Sequence, residues 1–400
     1  MAIFLSFVMT TVSGYQYNMT ISCSNSPFAW EDSDSNNCKD YGAWECKNYG
    51  NTIGTDGFTA NQACCGCGGG KRKIKLVTMV PDQFKAWQTL FLSTGIGSST
   101  CCADTFQDPC GCNTGRDAKV LCSLNGSITD INLAFCALKG TVPNVLSSLT
   151  GLKTITFSYN KELIGPLPSS LSSCTNLEEI NFVSTGMSGT LPKAWASLHK
   201  LWNLGLGCNE DAQFVGTLPK EWSSMINMKS IGFGDCNLHG ILPPEWSSMT
   251  KLYTFSLENN TFTGPLPSAW SSMTKLDYFT AAHNSLSQEL PKSWSSMVLM
   301  NNLWLQDNKF SGSLPSSWSK LNQMTHFYAS SNNLTGILPK SWSKWSCISI
   351  LQLRSNNITG PLPSEWATMG NESSYGEVCK GIGGPLTTLG LNKNKLNGKL

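Results

Sequence analysis

Few residues in this chain are spaced for covalent chemistry. Its four histidines are His199, His239, His283 and His326, and none has a nucleophile and a carboxylate close by in sequence. Nucleophilic catalysis needs a base held between those two groups. No phosphate-cradling glycine loop occurs, and neither His-Glu-x-x-His nor Gly-x-Ser-x-Gly appears. Two stretches have metal-ligand character. Cys64-Cys65-x-Cys67 reads either as metal ligands or as disulfide partners, and a secretory context favours disulfides. Asp32-x-Asp34-x-Asn36 opens like a calcium loop, but Asn37 stands where the turn needs Gly and Ala43 where the bidentate Glu belongs. A surface Asx turn is the competing reading. The sequence therefore predicts no catalytic residue, no cofactor and no metal site. What remains is noncovalent chemistry: side chains that hold a ligand by stacking and hydrogen bonding.

A repeating scaffold must position such side chains. Nine Leu-Pro steps run through the chain, at Pro168, Pro192, Pro219, Pro243, Pro267, Pro291, Pro315, Pro339 and Pro363. Every interval is 24 residues except the 27 between Pro192 and Pro219. From Pro192 onward a tryptophan follows each proline by three: Trp195, Trp222, Trp246, Trp270, Trp294, Trp318, Trp342 and Trp366. A fixed period of this size marks a solenoid, whose units bury their apolar faces only by stacking. One unit reads Leu252-x-x-Phe255-x-Leu257-x-x-Asn260-x-Phe262-x-Gly264-x-Leu266-Pro267. Its first part alternates like a short strand, so eleven strands are expected side by side. The column Cys136, Asn160, Thr185, Asn209, Cys236, Asn260, Asn284, Asn308, Asn332, Asn356 and Asn394 reads as a buried hydrogen-bonding ladder that tolerates cysteine.

The variable positions of each strand point away from the core. They place Trp202, Tyr253, Tyr278, Trp304, His326 and Tyr328 on one face, with Glu258, Asp307 and Arg354 nearby. Gly205, Gly207, Gly232 and Gly234 leave two adjacent strands nearly bare. Exposed aromatics on a rigid sheet suit a binding face. The competing reading is an ordinary surface, since single exposed aromatics need no explanation.

The pattern is identified as a leucine-rich repeat, and Leu-Thr-Gly-x-Leu-Pro at Leu334 to Pro339 resembles its plant-type subclass. The Leu-Pro-x-x-Trp-Ser-Ser-Met form resembles surface antigens of trypanosomatid and related flagellate protists, the promastigote surface antigen and proteophosphoglycan group. The resemblance implies an α/β-type solenoid with a parallel concave sheet and an irregular or 3-10 convex side. It also implies that the Trp column replaces a core Leu on the convex side, with Met225, Met249, Met273, Met297 and Met369 packed beside it.

The charged fraction is 14% and the formal net charge +2, so no strong field would steer nucleic acid here. No run of 18 apolar residues occurs, so a membrane would be met only through an anchor outside this fragment. Seventeen cysteines argue for an oxidising compartment, and the odd total leaves at least one unpaired within the chain. Sequons at Asn18, Asn125, Asn259, Asn333, Asn357 and Asn371 agree with secretion.

The expected organisation follows. Residues 1–14 have the apolar character of a signal peptide. Residues 15–70 form a cysteine module with Cys23, Cys38, Cys46, Cys64, Cys65 and Cys67, too short to fold without disulfides. A basic linker spans 71–80. Residues 81–125 resemble the N-terminal cap of plant-type repeats, a helix from Pro81 to Leu92 plus disulfides among Cys101, Cys102, Cys110, Cys112 and Cys122. Repeats fill 126–400 and stop on Leu400 before the next proline, which reads as a C-terminal truncation. The expectation is an extracellular or cell-surface recognition protein, an adhesin, receptor or surface antigen, binding a protein or glycan on the concave face. The alternatives are the ectodomain of a membrane receptor kinase and a structural surface-coat glycoprotein.

Overall fold

In the computed structural model the chain divides into two compact units, residues 1–76 and 77–400. The structure describes residues 5–6, 20–21, 80–99, 101–113, 118–209, 213–370, 379 and 385–398. In the first unit Leu5–Ser6 pairs with Thr20–Ile21 as antiparallel strands. The rest of the leader and of the cysteine module, including its six cysteines and Asn18, lies outside the described residues, as does the linker up to Val80.

The described part of the second unit opens with helix α1, Pro81–Ser93. Pro81 suits the first turn because no N–H is needed there, and Asp82 faces the positive end of the helix dipole. Gln83, Ala86, Trp87, Leu90 and Phe91 share the buried face at helical spacing. Gln83 reaches the first repeat: its side-chain oxygen accepts the Ile128 N–H at 2.9 Å. Disulfides Cys102–Cys112 and Cys110–Cys122 close the cap, and Cys101–Cys136 ties it to the first repeat. Strand β1, Lys119–Cys122, runs antiparallel along β2, Ile128–Asn132, and covers the edge of the sheet.

Ten further strands continue from β2 in chain order, all parallel: β3 Thr154–Thr156, β4 Glu179–Asn181, β5 Asn203–Gly205, β6 Ser230–Gly232, β7 Thr254–Ser256, β8 Tyr278–Thr280, β9 Asn302–Trp304, β10 His326–Tyr328, β11 Ile350–Gln352 and β12 Thr388–Gly390. Eleven parallel strands and one antiparallel cap strand thus form a 12-stranded sheet. At about 4.8 Å per strand it extends roughly 50 Å. Leu252, Phe255 and Leu257 are buried, whereas Tyr253, Thr254, Ser256 and Glu258 between them retain exposure. Most other repeats follow the same alternation, with Thr280 the buried exception on β8.

Three kinds of side chain bond each repeat to the one before. Asn308 donates its Nδ2 to the carbonyls of Ala281 (2.8 Å) and Leu305 (3.2 Å), and its oxygen accepts the Leu286 N–H at 2.9 Å. Asn260, Asn284, Asn332 and Asn356 do the same one repeat apart. On the opposite side a 3-10 turn follows each proline. Its tryptophan is buried, and the indole Nε1 donates to the proline carbonyl of the preceding repeat at 3.0–3.1 Å, from Trp195 to Trp366. Serine hydroxyls add a third link, for example Ser272 to the Ser247 carbonyl and Ser296 to the Ser271 carbonyl.

The structure departs from expectation in two places. A second parallel ladder of short strands flanks the first, seven of them running from Gly189–Thr190 to Asn333–Thr335. The Asn-x-Leu-x-Gly segments alternate apolar and polar residues, which suits a pleated edge as well as a loop. The hydrogen-bonding column is also interrupted at its cysteines. Cys136 is bonded to Cys101 and Cys236 to Cys208, so neither acts as an unpaired small filler. Asn209, beside the 27-residue interval, turns its amide to the Thr185 carbonyl at 3.1 Å. There a covalent bond takes over from the asparagine links. Cys347–Cys379 is the remaining described disulfide, and Cys174 is free and buried.

Candidate ligand-binding face

The outward residues of β8, β9 and β10 form one aromatic row. Tyr278 meets Trp304 edge to face with centroids 5.6 Å apart, and Trp304 meets Tyr328 likewise at 5.4 Å. His326 stacks on Tyr328 at 6.4 Å and its Nδ1 is 2.8 Å from the Thr325 hydroxyl. The row exists because the pairing is in register: Thr280, Trp304, Tyr328 and Gln352 are direct neighbours across four strands.

A second row lies one residue before these strands. Trp202, Lys229, Tyr253, Asp277 and Asn301 follow one another through backbone hydrogen bonds. The Lys229 ammonium sits 5.6 Å from the Trp202 ring centroid. The Asp277 carboxylate lies beside the Tyr253 and Asn301 side chains. Trp202 therefore stands apart from the main aromatic row, and Tyr253 joins it through Asp277. Asp307 is not on a strand. It occupies the left-handed turn (φ 55°), 3.4 Å from His283 Nδ1. With Arg354, Tyr328, Gln306 and Lys393 it lines a shallow hollow of about 430 Å³ at the β9–β12 end.

Burial shifts the ionisable groups here toward their neutral forms. The Tyr278 phenol is pushed up to about 12 by burial and then by the Glu258 charge. Burial raises Asp277, Tyr253 and Tyr328 and lowers His326. The phenols of Tyr253, Tyr278 and Tyr328 and the His326 imidazole therefore meet a ligand at neutral pH as uncharged hydrogen-bonding groups.

Beside the aromatic row the sheet is bare. Gly205 and Gly232 pair across β5 and β6. A Cβ at Gly232 would meet nothing within 4 Å, so open space and not crowding surrounds this glycine. At Gly234 a Cβ would come 3.2 Å from the Glu258 carboxylate, which leans over the glycine.

Several residues of this face were not singled out by sequence: Asp277, Thr280 and Gln306 among the strands, and Phe135 with Tyr159 at the cap end. The last two are exposed, stack at 4.2 Å and 9°, and both take positive φ. Most other members of that turn column are Asp, Asn or Ser, and Asp and Asn tolerate the left-handed region far better than aromatics do. Of the sequons, Asn125, Asn259 and Asn333 are exposed, Asn357 is half-buried, and Asn371 lies outside the described residues. Asn259 closes the outward face of β7 with its Nδ2 donating to Asp235 at 2.7 Å. Asn333 begins a strand of the flanking ladder. Among the described residues no group of three or more His, Cys, Asp or Glu side chains could hold a metal ion. No helix is long and apolar enough to cross a membrane among those residues.

The Leucine Rich Repeat family model matches residues 300–321. The crystal structure of PEPR1–AtPEP1 is similar over 79% of this chain and 46% of its own, with 19% identity and a TM-score of 0.63. The Arabidopsis receptor kinase HAESA, in complex with the peptide hormone IDA and the co-receptor SERK1, is similar over 79% of this chain and 54% of its own, with 21% identity and a TM-score of 0.56. A plant ice-binding protein is similar over 80% of this chain and 96% of its own, with 20% identity and a TM-score of 0.61. The fold is a leucine-rich-repeat solenoid of the plant type. The chain spans about half the length of those two receptor structures. No curated protein sequence matches it.

Proposed function

We propose that this solenoid is an extracellular recognition module that binds a protein or glycan ligand on its concave face. The observation that carries this reading is the contiguous row Tyr278, Trp304 and Tyr328, with open space at Gly232 two strands away. Aromatic anchors beside open backbone are what a binding face needs and what core packing does not require. Five described disulfides favour an oxidising, extracellular setting. The likeness to a receptor structure with a bound peptide hormone supports a receptor-like role. The likeness to an ice-binding protein shows that one fold carries different surfaces, so the site and not the fold decides.

The Trp-Ser-Ser-Met form of the repeat supports a surface antigen of the flagellate kind. The half-length match to receptor structures supports a receptor ectodomain. Both use the same face. The test is a screen of the full chain against secreted peptides, secreted proteins and a glycan array, run beside the double variant Tyr278→Ala with Trp304→Ala. Specific ligands should lose about tenfold or more in affinity in the folded double variant. Undiminished binding would move the site elsewhere.

A further inference from the structure

Six buried side-chain polar atoms lack a hydrogen-bond partner among the described residues, and four of them belong to this one face: Glu258 Oε2, Thr280 Oγ1, Trp304 Nε1 and Gln306 Oε1. Thr280 is fully buried although it occupies an outward position of β8. Thr280 and Trp304 are direct neighbours in the sheet. Glu258 and Gln306 lie two residues beyond Ser256 and Trp304, with only the small Ala282 between them in the intervening strand. Buried polar atoms are almost always paired, and an unpaired one costs free energy unless something outside the chain completes it. Four of them gathered on one face form a hydrogen-bonding template that side-chain shifts on binding would open.

Its chemistry selects the counterpart. The Trp304 indole only donates. The Gln306 oxygen and the Glu258 carboxylate oxygen only accept. The Thr280 hydroxyl does either. A cation would answer Glu258 and Gln306 but leave the indole N–H unmet. An anion would face the Glu258 carboxylate, for which no ion pair occurs among the described residues. An apolar side chain would leave all four unmet. Adjacent hydroxyl groups both donate and accept, and so can satisfy the whole set. The rings of Tyr278, Trp304 and Tyr328 stand beside the template and offer faces for the C–H surface of a sugar ring.

We propose that the β7–β9 face binds a neutral saccharide, whose hydroxyls pair with Glu258, Thr280, Trp304 and Gln306. This rests on the concave-face reading and narrows its ligand class.

The full chain is titrated with neutral hexasaccharides of glucose, mannose, galactose, xylose and N-acetylglucosamine, followed by tryptophan fluorescence and saturation-transfer NMR. At least one should bind. Thr280→Val keeps the side-chain shape and removes only the hydroxyl. Trp304→Phe keeps an aromatic ring and removes the N–H. The double variant, shown to be folded by circular dichroism, should weaken that sugar by about tenfold or more, while Lys292→Ala on the opposite side changes nothing. If no hexasaccharide binds at millimolar concentration, or the double variant binds equally well, the saccharide assignment is wrong. A peptide ligand that needs Tyr278 and Trp304 would then leave concave-face recognition intact. A ligand indifferent to Tyr278→Ala with Trp304→Ala would reject both.

Discussion

The indole nitrogen of Trp270 donates to the Pro243 carbonyl over 3.0 Å, 27 residues back in the chain. A leucine at that position would fill core volume but leave the carbonyl unmet. The tryptophan column therefore joins packing and hydrogen bonding in one side chain. Trp270→Phe, with a smaller ring and no N–H, should cost about 1–3 kcal/mol, and Trp270→Ala about 3–5 kcal/mol. Urea unfolding followed by circular dichroism measures both. A cost-free Phe variant would show that the bond contributes nothing.

Asn308→Ala should destabilise the solenoid. The change leaves the Leu286 N–H unmet in a place closed to water, and it removes one of the two side-chain donors from each of the Ala281 and Leu305 carbonyls, which Asn284 and Asn332 still reach. At about 1–3 kcal/mol for the buried unmet N–H, a loss of about 1–3 kcal/mol is expected. Hydrogen exchange at the Leu286 amide should accelerate in step with it.

Cys174 should be chemically silent in the folded protein. Burial pushes its thiol up to about 12, so almost no thiolate forms at neutral pH. Wild type and Cys174→Ala should therefore show the same number of thiols reactive toward Ellman's reagent when native. They should differ by one in denaturant. A difference in the native state would mean that the convex side opens.

His326 should make the fold acid-sensitive. Burial holds its folded pKa below the ordinary 6.5. Between those two values the unfolded chain binds more protons than the folded one, so stability falls as pH drops below 6.5. Above 6.5 both states are neutral at this residue and it adds no pH dependence. Unfolding free energies of wild type and His326→Gln from pH 5 to 8 should converge at the alkaline end. The acid-side loss should be smaller in the variant. Parallel curves would remove His326 as the cause.

The scaffold was legible in the sequence because its determinants recur at one period. The Leu-Pro steps, the Trp column and the outward aromatics all follow from spacing alone, and the structure places Tyr278, Trp304 and Tyr328 together. What sequence reading missed at the site does not follow from the period alone. Cys236 occupies an asparagine position, so its bond to Cys208 is invisible until the 27-residue interval is seen to displace Asn209. Thr280 looks like any strand threonine, and its full burial beside Trp304 shows only in the structure. Phe135 and Tyr159 lie 24 residues apart at turn positions, and nothing local marks them as a stacked pair.

The asparagine, tryptophan and most of the serine links run from one repeat back to its predecessor, and none of them uses an outward position of the long sheet. Stability and recognition are therefore written in different residues of the same 24. A copied unit brings along the donors it needs to dock on the unit before it. The array can lengthen, shorten or exchange units while the fold persists, and the outward residues can diverge freely. Such a chain is suited to lineages in which the ligand changes faster than the body that presents the surface.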